Sequence, residues 1–159
     1  MTNSVNKTLP YYEVNLYGSH ATNLCLPWSD LDVVLIKRLN GNNISSIQTT
    51  FDNSSLLSKL FENIRNEPWV KDCKLISKAS VPIIKLFAIE QYNNMSIDIS
   101  IQDENHFGLK CVELVKNYIK EYKSLKPLVL AIKNILKRAN LNDPYKGGIS
   151  SYGLILMIV

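Results

Sequence analysis

A glycine-serine step followed, after a short spacer, by two aspartates on an apolar run constrains this chain more than any other feature: Gly18-Ser19, then Asp30-Leu31-Asp32-Val33-Val34-Leu35-Ile36. In a strand, residues i and i+2 share a face, so Asp30 and Asp32 project together while Leu31 and Val33 point the other way. Two carboxylates side by side repel unless a cation sits between them. Hard divalent ions such as Mg²⁺ suit that place, because they take oxygen ligands and are shared between a few carboxylates and substrate phosphates. Upstream, Glu13-Val14-Asn15-Leu16-Tyr17 has strand character and runs into Gly18. Glycine permits a tight turn there, and the N–H groups opening a following helix face an anion. The expected order is strand, Gly-Ser turn, a short helix over residues 19–24, a loop containing Pro27, and the Asp-bearing strand. Phosphate-binding turn and metal-binding carboxylates are thus joined.

Two carboxylates seldom complete a two-metal site, and Asp98 is the candidate third. Met95-Ser96-Ile97-Asp98-Ile99-Ser100-Ile101 alternates polar and apolar residues, which predicts a strand with one buried face and Asp98 on the other. A cross-strand neighbour lies roughly 4.5–5.5 Å away between Cβ atoms, near enough for Asp98 to join Asp30 and Asp32 around ions about 3.5–4 Å apart.

The 159 residues, 46% of them hydrophobic, suffice for a sizeable core. A net charge of +4 permits a polyanionic partner without demanding one. Cys25, Cys73 and Cys111 are odd in number and widely spaced, with His20 and His106 as the two histidines, so neither a disulfide framework nor a zinc site is expected. Met1 to Pro10 lacks the apolar core of a signal segment. The longest apolar run, Leu154 to Val159, is far below the roughly 17–25 residues of a membrane helix. A soluble intracellular protein with no membrane contact is expected.

Further along, Asn40-Gly41-Asn42-Asn43 marks a turn-rich loop, and 43–53 is polar. Ser54 or Ser55 is a candidate cap for a helix bearing Leu56, Leu57, Leu60, Phe61 and Ile64, stopped by Pro68. Strands are expected over 70–76 and 81–89, with Pro82 at a strand start. Lys85 reads more readily as a solvated lysine than as a ligand. From Asn105 the period changes to about three and a half. Val112, Val115, Tyr118, Ile119 and Tyr122 then suit one helix face. Ser124 reads as the N-cap of a helix with Pro127 in its first turn, running to about Ala139, and Gly147-Gly148 precede a last helix from about Ser150. An α/β part over 1–104 and the beginning of a helical part over 105–159 are expected.

The motif Tyr17-Gly18-Ser19-x-x-Thr22-x-Leu24-x-Leu26-Pro27-x-Ser29-Asp30-x-Asp32-Val33-Val34 resembles the DNA polymerase beta-like nucleotidyltransferases, and within them the TRAMP-type nuclear terminal poly(A) polymerases. Val81-Pro82-Ile83-Ile84-Lys85 is also similar to that family. So are the basic pair Lys133 and Lys137, the turn Arg138-Ala139-Asn140-Leu141-Asn142, and Gly147-Gly148-Ile149-Ser150-Ser151-Tyr152. The resemblance implies a mixed α/β (α+β) nucleotidyltransferase sheet with flanking helices, followed by the start of a helical central domain. It implies that Asp30, Asp32 and Asp98 hold two Mg²⁺ or Mn²⁺ ions, with Asp98 activating an RNA 3′-hydroxyl. Gly18, Ser19, Lys133, Lys137 and Ser151 would hold ATP's phosphates, Ser29 would join the nucleotide site, and Tyr152 would stack on the base. On spacing alone, Lys133 and Lys137 describe a solvated helix face, Ser150 or Ser151 a helix cap, and Tyr152 a core residue.

The implied activity is template-independent transfer of AMP from ATP to an RNA 3′ end. Terminal uridylyltransferases, oligoadenylate synthetases and antibiotic nucleotidyltransferases are alternatives on the same fold, and a non-catalytic RNA-binding scaffold is an alternative of another class. A nuclear site of action, a zinc-knuckle RNA-binding protein and an RNA helicase as partners follow from the resemblance. Trp28, in a loop position usually small or polar, and Asp103, near where relatives carry Asn at the sugar, depart from the pattern. The likened enzymes continue for about as many residues again, so a fragment is expected.

Overall fold

A computed structural model describes residues 1–38, 52–104 and 106–159. The expected turn at 40–43 and most of the polar stretch 43–53 lie outside them. In chain order the elements are α1 (Thr2–Thr8), β1 (Tyr12–Leu16), α2 (Gly18–Ala21), β2 (Leu31–Lys37), α3 (Asn53–Ile64), β3 (Val70–Ile76), β4 (Ile83–Ala88), β5 (Ser96–Ile101), α4 (Gly108–Glu121), α5 (Leu125–Arg138) and α6 (Ser151–Ile158). They divide into two compact units, 1–16 with 30–106, and 17–29 with 107–159.

The first unit is built on a mixed five-stranded sheet ordered β1-β2-β5-β4-β3. β2 and β5 run parallel and the other pairs antiparallel. The alternation in β5 and β4 sends Ile97, Ile99, Ile101, Ile84 and Leu86 to one face, where they bury with Val33 and Leu35 of β2. α3 covers that face through Leu57, Leu60 and Ile64, spaced by three and four residues so that they fall on one stripe. Asp52, rather than Ser54 or Ser55, caps α3, accepting the Ser54 N–H at 3.3 Å. α1 forms in the segment read only as polar: Val5 and Leu9 join the core, and Ser4 Oγ donates to Glu67 Oε1 at 2.8 Å. β4 is shorter at both ends than the expected 81–89, and Pro82 stands just ahead of it, where a missing N–H breaks no ladder.

The second unit packs α4, α5 and α6 with residues 17–29 around Leu24, Val115, Leu125, Val129, Leu154 and Ile155. Residues 17–29 were expected with the sheet; Leu24, 1% exposed, explains their grouping with the helices instead. α2 ends at Ala21, short of the expected Leu24, because Asn23 takes a left-handed φ of 57°. Ser124 precedes α5 as expected but makes no side-chain cap bond, its backbone already being helical. Ser150 caps α6, accepting from Gly153 N–H at 3.0 Å. Gly148 is needed in the turn before it, since a Cβ there would lie 2.4 Å from the Leu141 carbonyl oxygen.

Leu60→Ala empties a fully buried position of the sheet's core and is expected to destabilise by about 2–5 kcal/mol. A urea melt checks this: the midpoint falls while the slope stays near wild type.

Candidate functional site

The carboxylates of the first unit are brought together by strand register. Asp32 of β2 lies directly opposite Asp98 of β5, and Asp98 directly opposite Lys85 of β4. Lys85 in turn stands opposite Lys74 of β3. Directly opposed residues share a face, so the order Asp32, Asp98, Lys85, Lys74 crosses four strands on the side away from the apolar core. Asp30 does not sit inside a strand as expected; it immediately precedes β2.

Lys85 corrects the expectation of a solvated lysine. Its Nζ donates to Asp98 Oδ1 at 2.9 Å, to Asp98 Oδ2 at 3.2 Å and to Asp30 Oδ2 at 3.3 Å. Burial pulls the ammonium down, but the bonds and charges of Asp98 and Asp30 outweigh it and hold Lys85 above the ordinary lysine value. Burial pushes Asp98 above the ordinary carboxylate value, although Lys85 opposes this; the Asp30 charge adds to the rise. Among the described residues no three His, Cys, Asp or Glu side chains converge as a metal cage. Lys85 occupies a cation's place between two members of the expected three-carboxylate set.

Below the row, Ser100 Oγ lies 3.1 Å from Val33 O and 2.9 Å from His106 Nε2, hydrogen-bonded to both. That chain ties β5 to β2 just beyond the aspartates. Asp103, a departure from the family pattern, accepts from Asn53 Nδ2 at 3.1 Å.

The second unit carries a cavity of about 240 Å³. Gly18, Ser19, Lys133, Ser151 and Tyr152 all line it, together with Tyr17, Thr22, Cys111 and an apolar floor that includes Leu24, Val112, Val115 and Ile155. Gly18 takes φ 64°, a left-handed conformation open to glycine, and Thr22 Oγ1 braces the turn through the Gly18 and Ser19 carbonyls at 3.1 and 3.2 Å. Lys133 Nζ donates to Leu24 O at 2.8 Å, pinning the segment after α2 to α5. Ser151 opens α6 beside the cap Ser150, and Tyr152 is 37% exposed rather than a core residue. The Tyr152 hydroxyl is hydrogen-bonded to Cys111, which raises it above the ordinary phenol value.

Two expected members do not line this cavity. Lys137 is exposed, one turn beyond Lys133. Ser29 Oγ accepts from Leu26 N–H at 2.9 Å and its carbonyl accepts from His20 Nε2 at 3.4 Å, so it closes the Leu26–Ser29 turn. Lys85, Thr22 and Cys111 had no assigned role. Thr22 and Lys85 each stood in a stretch that resembles the family, without a role of their own, whereas Cys111 carries no local signal.

Residues 1–120 match a family model described as poly(A) RNA polymerase, mitochondrial-like, central palm domain. The chain belongs to that family. It is similar to Poly(A) RNA polymerase protein 2 of Saccharomyces cerevisiae, 26% identical over 155 residues, covering 98% of this chain and 24% of that one. It is also similar to Poly(A) RNA polymerase CID14 of Cryptococcus neoformans, 30% identical over 160 residues, 100% of this chain and 19% of that one. The polymerase core of TRAMP, an RNA surveillance complex, shares the fold at a TM-score of 0.78 and 24% identity, over 99% of this chain and 45% of that structure. The Cid1 poly(U) polymerase matches at a TM-score of 0.75 and 26% identity, over 99% and 44%. The chain thus spans 24% and 19% of the curated relatives' lengths. No described helix is long and apolar enough to cross a membrane.

Burial holds the His106 imidazole below its ordinary value of 6.5. A base depressed in the folded state binds fewer protons than in the unfolded chain, so its contribution to stability is present above the unfolded value and lost as pH falls below it. Denaturation midpoints are expected to drop between about pH 7.5 and pH 5.5, and His106→Gln should narrow that drop. An unchanged drop in the variant would place the titration elsewhere.

Proposed function

We propose that this chain carries the nucleotide-handling core of a template-independent RNA 3′-end adenylyltransferase, transferring AMP from ATP to an RNA 3′-hydroxyl. One observation carries the reading: Asp32 faces Asp98 in register, and Asp98 shares a cation with Asp30. The donor set is all carboxylate oxygen, as Mg²⁺ or Mn²⁺ requires, and a cation already bridges two of the three groups. Asp30, Asp32 and Asp98 would hold two such ions, which would neutralise charge that develops during the transfer.

The remaining chemistry belongs to the chain's own residues. The 3′-hydroxyl oxygen bonds to the α-phosphorus as the α–β bridging P–O bond breaks, pyrophosphate leaves, and the hydroxyl proton passes to Asp98. Lys133 lines the cavity as a positive point charge, which suits a triphosphate. Gly18-Ser19 and Ser151 offer further donors, the apolar floor suits a sugar and base, and Tyr152 supplies a ring to stack on. Lys137 and Ser29 have no part in this reading. Stacking tolerates many bases, so uridylyl transfer, the activity in the name of the Cid1 relative, is the second reading. A nuclear setting and zinc-knuckle and helicase partners rest on the family likeness.

Incubation with an RNA primer and each of the four nucleoside triphosphates tests this. Extension with ATP, abolished by a chelator and by Asp30→Ala, is expected. Asp98→Asn should lower the rate about 10²–10⁴-fold; near-wild-type extension by either variant would sink the assignment. Preferred extension with UTP would select the second reading. Tyr152→Ala is expected to weaken ATP binding by about 1–3 kcal/mol in calorimetry.

A further inference from the structure

We propose that Lys85 is the internal counter-ion of the carboxylate row: its ammonium holds Asp30 and Asp98 together without metal and is the competitor that a divalent cation displaces, so that Lys85 sets the row's metal affinity. The proposal rests on the reading that these aspartates bind divalent cations.

Its contacts are those of a cation in a metal's place. Nζ reaches both oxygens of Asp98, at 2.9 and 3.2 Å, and one of Asp30, at 3.3 Å. The Lys85 and Asp98 side chains are only 27% and 18% exposed, so the pair is screened far less than a surface ion pair. The register explains why the ammonium leans this way: Lys74 is directly opposite on the other side, and opposed like charges repel. The Lys85 ammonium offsets part of the negative charge that the aspartates bring to the row. The lysine therefore stabilises the metal-free row and weakens its pull on an incoming cation.

Displacement also has somewhere to go. Lysine is a point charge on a flexible four-carbon stem, and Lys85 Nζ already lies 5.9 Å from the centre of the Phe87 ring on the same strand. Aromatic faces attract ammonium groups at that range, so the side chain keeps a partner when the carboxylates turn to a metal.

The test is Mn²⁺ binding to the nucleotide-free chain, by calorimetry, alongside melting with chelator or with saturating Mn²⁺. Wild type is expected to bind Mn²⁺ and to melt only slightly higher with it. Lys85→Met should bind about tenfold more tightly or better, melt lower in chelator, and gain more on adding Mn²⁺; a variant that folds only with Mn²⁺ would be the extreme of this result. Lys85→Arg, which keeps the charge, should stay near wild type. Lys85→Gln, polar but neutral, is read in the same way should the methionine variant fail to fold under both conditions. If the neutral variants bind Mn²⁺ no more tightly than wild type, while Asp98→Asn abolishes binding, the counter-ion role is overturned and the metal reading survives. If neither wild type nor the neutral variants bind Mn²⁺, the metal reading falls and the proposal with it.

Discussion

Confinement of like charges in a half-buried row is the constraint on which the first unit depends. Asp32 and Asp98 are brought face to face by a parallel pairing that leaves them no choice of distance. The same pairing places Val33 against Ile99 and Leu35 against Ile101, all buried. A slip of one residue would send the aspartates into the core and the isoleucines out. The apolar face therefore fixes the polar one: burial of Ile84, Leu86, Ile97 and Ile99 is what makes the repulsion between carboxylates tolerable. Lys85, drawn from the next strand, removes part of what remains.

The helical unit solves a different problem, that of presenting backbone and polar groups around an apolar cavity. Glycine appears where geometry forces it: at Gly18, whose φ is left-handed, and at Gly148, where a Cβ would collide with the Leu141 carbonyl. Lys133 fastens the segment after α2 to α5, so one side chain both builds the cavity wall and contributes charge to it.

Much of this was legible in the sequence because it is local. Alternation put Asp98 on the polar face of its strand, the strand expected over 70–76 is β3, and helical spacing found α3, α4 and α5. The parallel facing of Asp32 and Asp98 gives the two-strand arrangement that alternation alone could only suggest. What escaped was tertiary. Lys85 looks like any strand lysine until register sets it against Asp98. Lys133 and Lys137 are equivalent by periodicity, but the Leu24 carbonyl lies beside the first alone. Ser29 stands in a motif next to Asp30, yet its hydroxyl is spent within its own turn. The N-terminal helix was missed because its buried face is small, Val5 with Ser4 and Thr8.

The bond between Lys133 and Leu24 joins residues 109 apart. Contacts of such long range carry the loop-closure cost that slows folding. During synthesis at about 5–20 residues per second, Leu24 would leave the ribosome roughly 5–20 s before its lysine. For that interval a fully apolar side chain, destined for 1% exposure, has no helical partner. Residues 17–29 thus wait on the nascent chain for the helices that bury Leu24.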